Sequence, residues 1–170
     1  MSTKIEPISL PEVIEDIRVN PQHGLLTLAA SGEILEGVSV RAEARQHQLA
    51  LDEPMMLGGT DTGPNPVEAV LAALGACQAI TYRVWAAMLG VQLDGIRFET
   101  EGDIDLNGFF GLNDTVRPGL QRIRHRVVLI GPESEERYHE LAATVDRHCP
   151  VLDIVANGLP VERVLDVRAE

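Results

Sequence analysis

The stretch from Gly63 to Trp85, GPNPVEAVLAALGACQAITYRVW, constrains the fold more than any other part of the chain. Asn65 is a good helix N-cap, and Pro66 falls at the first helical position, where its missing N–H costs nothing. Glu68 stands three residues after Asn65, the spacing of a capping box. Val67, Val70, Leu71, Leu74, Cys77, Ile80, Val84 and Met88 then keep a helical period, and Gly90 suits the C′ stop. The spacing predicts a helix of about 24 residues, roughly 36 Å long. Its first half is apolar on most sides, so it is expected at the centre of the fold. Aromatic residues make up only 4% of the chain, so Val, Leu, Ile and Ala must build most of the core.

The segments before this helix read as strands. Gly24–Gly32, Ile34–Arg45 and Gln46–Glu53 are separated by turn glycines. Val38, Val40, Ala42 and Ala44 alternate with Ser39, Arg41, Glu43 and Arg45, which is strand patterning with one covered face. Pro54–Pro66 is a loop by composition. After the long helix, Leu93–Leu106 and Leu120–Gly131 read as strands, with a loop carrying Phe109 and Phe110 between them. Ser134 opens a second helix that ends at His148–Pro150, Val151–Ala156 is a short helix, and Leu159–Val167 reads as a last strand. Strands, helix, strands, helix and strand make the class α+β. The 170 residues suit one domain, in which residues 1–35 supply N-terminal strands.

The formal net charge is −12, which argues against nucleic acid or an anionic membrane as partner. Met1–Leu10 lacks the apolar core of a signal peptide. The longest apolar stretch, Ala69–Cys77, is about half of what a bilayer span needs. A cytoplasmic location is the expectation. Cys77 and Cys149 are the two cysteines, and in a reducing compartment they are free thiols, a redox pair or part of a metal site.

Asp52–Thr81, DEPMMLGGTDTGPNPVEAVLAALGACQAIT, together with HCPV at His148–Val151, resembles the OsmC/Ohr family of osmotically inducible and organic-hydroperoxide-resistance proteins. The resemblance covers Val38 to Val167. It implies an intertwined homodimer, with long central helices inside wrapped antiparallel sheets and two sites at the subunit interface. It implies a thiol peroxidase without haem, flavin or metal. Cys77 would attack an organic hydroperoxide, and Cys149 would resolve the sulfenic acid as a disulfide. A dithiol reductant, such as a lipoyl group, would reset the pair.

The chemistry requires two thiols. Only the thiolate attacks a peroxide, and the sulfenic acid must be captured before it oxidises further. Cys77 lies about three turns into its helix, too far for the helix terminus to lower its pKa, so a cation is needed. The family arginine comes from an early strand; Arg45, and after it Arg41, are the candidates here, against a solvated strand face. In hydroperoxide-resistance members a glutamate directly follows the helix proline. Here Val67 occupies that position and the glutamate, Glu68, comes one residue later. Glu68 stands nine residues before Cys77, about 180° away around the helix, so capping is the simpler role beside a catalytic one. Phe109 and Phe110 are core or an apolar wall for a lipid-like peroxide. Tyr82 and Trp85 read as core or dimer contacts. Two further readings stand beside the peroxidase. One is a non-peroxidase dimer binding an apolar or thiol-reactive ligand at its interface. The other is a metal-binding dimer using Cys77, Cys149 and His148.

Overall fold

The computed structural model describes residues 10–168; the earliest part of the expected N-terminal strands lies outside them. The elements in order are α1 (Pro11–Val19), β1 (Ser31–Ile34), β2 (Val40–Ala44), β3 (His47–Leu51), α2 (Pro66–Leu89), β4 (Gly95–Ile104), α3 (Leu106–Phe109), β5 (Leu120–Ile130), α4 (Glu135–His148) and α5 (Pro150–Ala156). Helices and two antiparallel sheets, β1-β2-β3 and β4-β5, make the chain α+β.

The long helix has the limits its sequence predicts. The Asn65 side chain accepts the Glu68 N–H at 2.8 Å, and the Glu68 carboxylate accepts the Asn65 N–H at 2.9 Å. Gly90 ends the helix in the left-handed region at φ +63°. Ser134 likewise caps α4 by accepting the Arg137 N–H.

One face of α2 packs against α4, α5 and β4. Tyr82 and Ala86 of α2 meet Leu141 and Val145 of α4, with Val91 and Leu93 at the entry to β4. Gly75 lets β4 come close: a Cβ there would fall 2.2 Å from the Phe98 ring. The outward face of β4-β5 pairs unlike charges across the strands, Glu99 with Arg126 and Glu101 with Arg124.

Three expectations need correcting. The segment Pro11–Val19 is a helix, with Pro11 at its start, rather than a strand. Of Gly24–Gly32 only the end joins β1, and Leu25, Leu26 and Leu28 stand exposed. Leu159–Val167 forms no strand and pairs with neither the β1-β2-β3 sheet nor the β4-β5 sheet. The segments Leu25–Ala30 and Leu159–Val167 meet no strand edge among the described residues.

The centrality of α2 also holds on one side only. Leu74, Gly75, Gln78, Thr81, Tyr82 and Ala86 are buried, whereas Val70, Ile80 and Met88 are exposed, Ile80 at 62%. The whole helix is longer than its apolar run; by length and composition it reaches the range of a membrane span, with a mean hydropathy of 1.2. Its packing against two helices and a sheet, and its buried Gln78 and Thr81, are those of a core helix.

Candidate active site

Cys77 lies mid-way along α2, and Cys149 stands between α4 and α5. Their sulfurs are 3.5 Å apart, with the Cys149 thiol donating to Cys77. A disulfide has sulfurs about 2.05 Å apart, so closure requires an approach of about 1.5 Å. The break between the helices makes this meeting possible. Pro150 has no N–H and starts α5, so the chain turns at Cys149. The turn places the side chain against α2.

The two thiols differ in setting. Cys77 is half-buried, while Cys149 is only 1% exposed. Burial pushes the Cys149 thiol up, and the adjacent Cys77 sulfur adds to this, outweighing hydrogen bonds from the Leu152 N–H and the Thr81 hydroxyl. Thr81 also donates to the Cys77 carbonyl at 2.8 Å. The arrangement is therefore one reachable sulfur accepting from a neighbour held protonated.

Two contacts fix α4 against α2 around this pair. Gln78, next to Cys77, donates to the Asp146 carboxylate at 3.4 Å. His148, next to Cys149, packs at a tilt against Trp85 with ring centroids 4.3 Å apart, and its Nδ1–H donates to the Thr144 carbonyl at 2.7 Å. Tyr82 is core, as one of its two readings has it; burial and the Asp146 charge push its hydroxyl up to about 12. His125 bonds Thr100 instead of a sulfur, and burial pushes it down. Among the described residues no three His, Cys, Asp or Glu side chains form a group able to hold a metal.

The remaining candidates do not join the sulfurs. Arg45 occupies the turn between β2 and β3, exposed and in the left-handed region at φ +56°. Arg41 pairs with Glu33 of β1. Neither guanidinium hydrogen-bonds a sulfur. Glu68 is held in the capping box, and nine residues of undistorted helix put it about 13 Å from Cys77 along the axis. A catalytic contact with Cys77 of its own chain is therefore closed to it. Phe109 and Phe110 line a mainly apolar cavity of about 540 Å³ with Val40, Leu51, Val67 and Leu71, and Asp52 and Glu68 stand in its wall. Leu71 points about 120° away from Cys77 around α2, so this cavity opens on another side of the helix.

Asp52 is a residue whose role the sequence alone does not reveal. It is buried and accepts from the N–H and hydroxyl of both Thr60 and Thr62, and from the Glu53 N–H. The Thr60 hydroxyl above all, with these other donors, holds its carboxyl well below the usual range. Asp52 thereby folds the loop that delivers the chain to the start of α2. The signal lies in the sequence as an aspartate at a strand end followed by Thr-Asp-Thr, but the pairing across eight and ten residues is visible only in three dimensions.

A sequence profile for the family described as OsmC-like protein matches residues 59–163, more than half of the chain. The chain belongs to the OsmC-like protein family. Solved structures share its fold. An OsmC-like protein from Mycoplasma pneumoniae superimposes with a TM-score of 0.68 at 23% identity, covering 78% of this chain and 89% of that one. An organic hydroperoxide resistance protein OsmC from Legionella pneumophila gives 0.60 at 20% identity, over 77% and 90% of the two chains. One from Elizabethkingia anophelis gives 0.60 at 15% identity, over 79% and 91%. No curated protein sequence matches the chain. Cys77 and Cys149 both lie within the matched residues.

Proposed function

We propose that this OsmC-like protein is a cytoplasmic, homodimeric thiol peroxidase that reduces organic hydroperoxides. The observation that carries the reading is the sulfur pair at 3.5 Å with unequal burial. The half-buried Cys77 thiolate attacks the peroxide oxygen, releasing an alcohol and leaving a sulfenic acid. The protonated Cys149 thiol then condenses with it, forming the disulfide and expelling water. A dithiol, such as a lipoylated protein, returns both cysteines to thiols by becoming oxidised itself. The Cys149 proton is available where the leaving hydroxide needs it, which favours Cys149 as the resolving partner. No haem, flavin or metal enters these steps.

The dimer is supported by apolar surface that one chain leaves open: Val70, Ile80 and Met88 of α2, and the extended segments at either end. An intertwined arrangement would cover α2 and pair those segments as edge strands. It would also let Arg45 and Glu68 serve the partner's thiols.

Turnover of an alkyl hydroperoxide with a dithiol reductant tests the reading. Cys77→Ser is expected to reduce consumption to background, while Cys149→Ser leaves one oxidation without a cycle. Full turnover by the Cys77→Ser protein would end the proposal. The mainly apolar cavity beside Phe109 and Phe110, on another side of α2 from the sulfurs, favours the second reading, a dimer that binds an apolar ligand without reducing it.

A further inference from the structure

Thr81 stands one turn beyond Cys77 on α2 and is 8% exposed. Its hydroxyl donates to the Cys77 carbonyl at 2.8 Å and also reaches the Cys149 sulfur. A hydroxyl has one proton, so it serves one of these acceptors fully at a time. The carbonyl does not depend on it. Cys77 lies inside α2, where its carbonyl accepts the N–H of Thr81 in the helical ladder. The hydroxyl can therefore turn from the carbonyl to the sulfur and leave no buried acceptor unpaired.

Cys149 meets donors from two elements, the Leu152 N–H of α5 and the Thr81 hydroxyl of α2. Against its ionisation stand burial and the Cys77 sulfur, 3.5 Å away. Hydrogen bonds to a charged acceptor are about twice as strong as those to a neutral one, so both donors favour the Cys149 thiolate over the thiol. A charged Cys77 opposes them. Once Cys77 carries a neutral sulfenic acid that opposition is gone, and the donors remain.

We propose that Thr81 is a switchable donor for the resolving step: its hydroxyl rests on the Cys77 carbonyl and turns to the Cys149 sulfur as that sulfur gives up its proton. In that step the Cys149 S–H bond breaks and its sulfur forms the S–S bond to Cys77. The Cys77 S–O bond breaks, and the departing oxygen leaves as water with the Cys149 proton. Thr81 keeps its own proton throughout. The resolving role rests on the thiol-peroxidase reading; donation to a Cys149 thiolate does not.

Two measurements test this. In the Cys77→Ala protein Cys149 is the sole thiol, and ultraviolet absorbance reads its ionisation against pH. Adding Thr81→Val, which keeps the branched shape and removes the hydroxyl, is expected to lower the thiolate fraction below the midpoint about ten-fold. Thr81→Ser is expected to restore it. In the two-cysteine protein, given one equivalent of an alkyl hydroperoxide, Thr81→Val is expected to slow conversion of the sulfenic acid to the disulfide about ten-fold. Sulfenic acid itself is expected to form at the wild-type rate, read by chemical trapping and mass spectrometry. A Cys149 ionisation indifferent to Thr81→Val, a Ser variant no better than Val, or equal slowing of both steps overturns the proposal. An ionisation shift with no sulfenic acid formed would end the peroxidase reading alone. Disulfide formation at the wild-type rate in Thr81→Val would end this one alone.

Discussion

Leu141 and Val145 on α4 are fully buried, while Val161, Val164 and Val167 near the C-terminus are 88%, 87% and 85% exposed. The side chains are of one kind, and their fates are opposite. The chain completes a core where α2, α4 and the β4-β5 sheet meet, and the thiol pair is anchored to that core. The apolar residues along the C-terminal segment, around Leu25–Leu28 and on the outer face of α2 find no cover in the same chain. Exposed apolar surface of this extent marks an interaction surface. The thiol pair thus rests on the finished part of the molecule, and in the proposed dimer a second copy would cover the unfinished part.

The contrast is sharpest if the same kind of truncation is made in both regions. Leu141→Ala is expected to destabilise by about 2–5 kcal/mol, measured by denaturant unfolding, because it leaves a cavity in a packed core. A loss under about 1 kcal/mol would show that this core is looser than its packing implies.

The Asp52 loop joins β3 to α2, and its effect is electrostatic. The carboxyl is held below its usual pKa by its donors, so the folded state binds its proton less readily than the unfolded chain. Its stabilisation is therefore present above pH ~4 and is lost as pH falls below that range. Asp52→Asn is expected to lower the melting temperature at pH 7, with the gap to wild type closing as the pH drops below ~4. A gap that stays constant across that range would remove the carboxylate from the account.

The smallest effect is expected at the periphery. Val161→Ser with Val164→Ser should change the stability of the dilute chain by less than about 0.5 kcal/mol, because both side chains are already in water. At higher concentration the same variant should weaken self-association, read by analytical ultracentrifugation. Unchanged association would mean that the C-terminal segment is not part of the contact.

Much of this was legible in the sequence because it is local. The Asn65–Glu68 capping box, Pro66, Gly90 and the Ser134 cap depend on residues a few positions apart, and the structure has each of them. The family pattern pointed to Cys77 and Cys149 across 72 positions, and the structure brings their sulfurs together. What alternation could not decide was whether a strand finds an edge. Leu159–Val167 has the pattern and no partner strand among the described residues, and Pro11–Val19 became a helix. Nor could it place charges: Asp52 finds Thr60 and Thr62 across eight and ten positions, and Arg45 stands at the exposed turn between β2 and β3.

The central claim is that Cys77 and Cys149 form a working redox pair. Mass spectrometry of the wild-type protein after one equivalent of an organic hydroperoxide tests it most directly. The account predicts loss of two hydrogens and a peptide cross-link joining Cys77 to Cys149, reversed by a dithiol. Two free thiols after that treatment, or a Cys77 oxidised to sulfinic acid with Cys149 untouched, would contradict it.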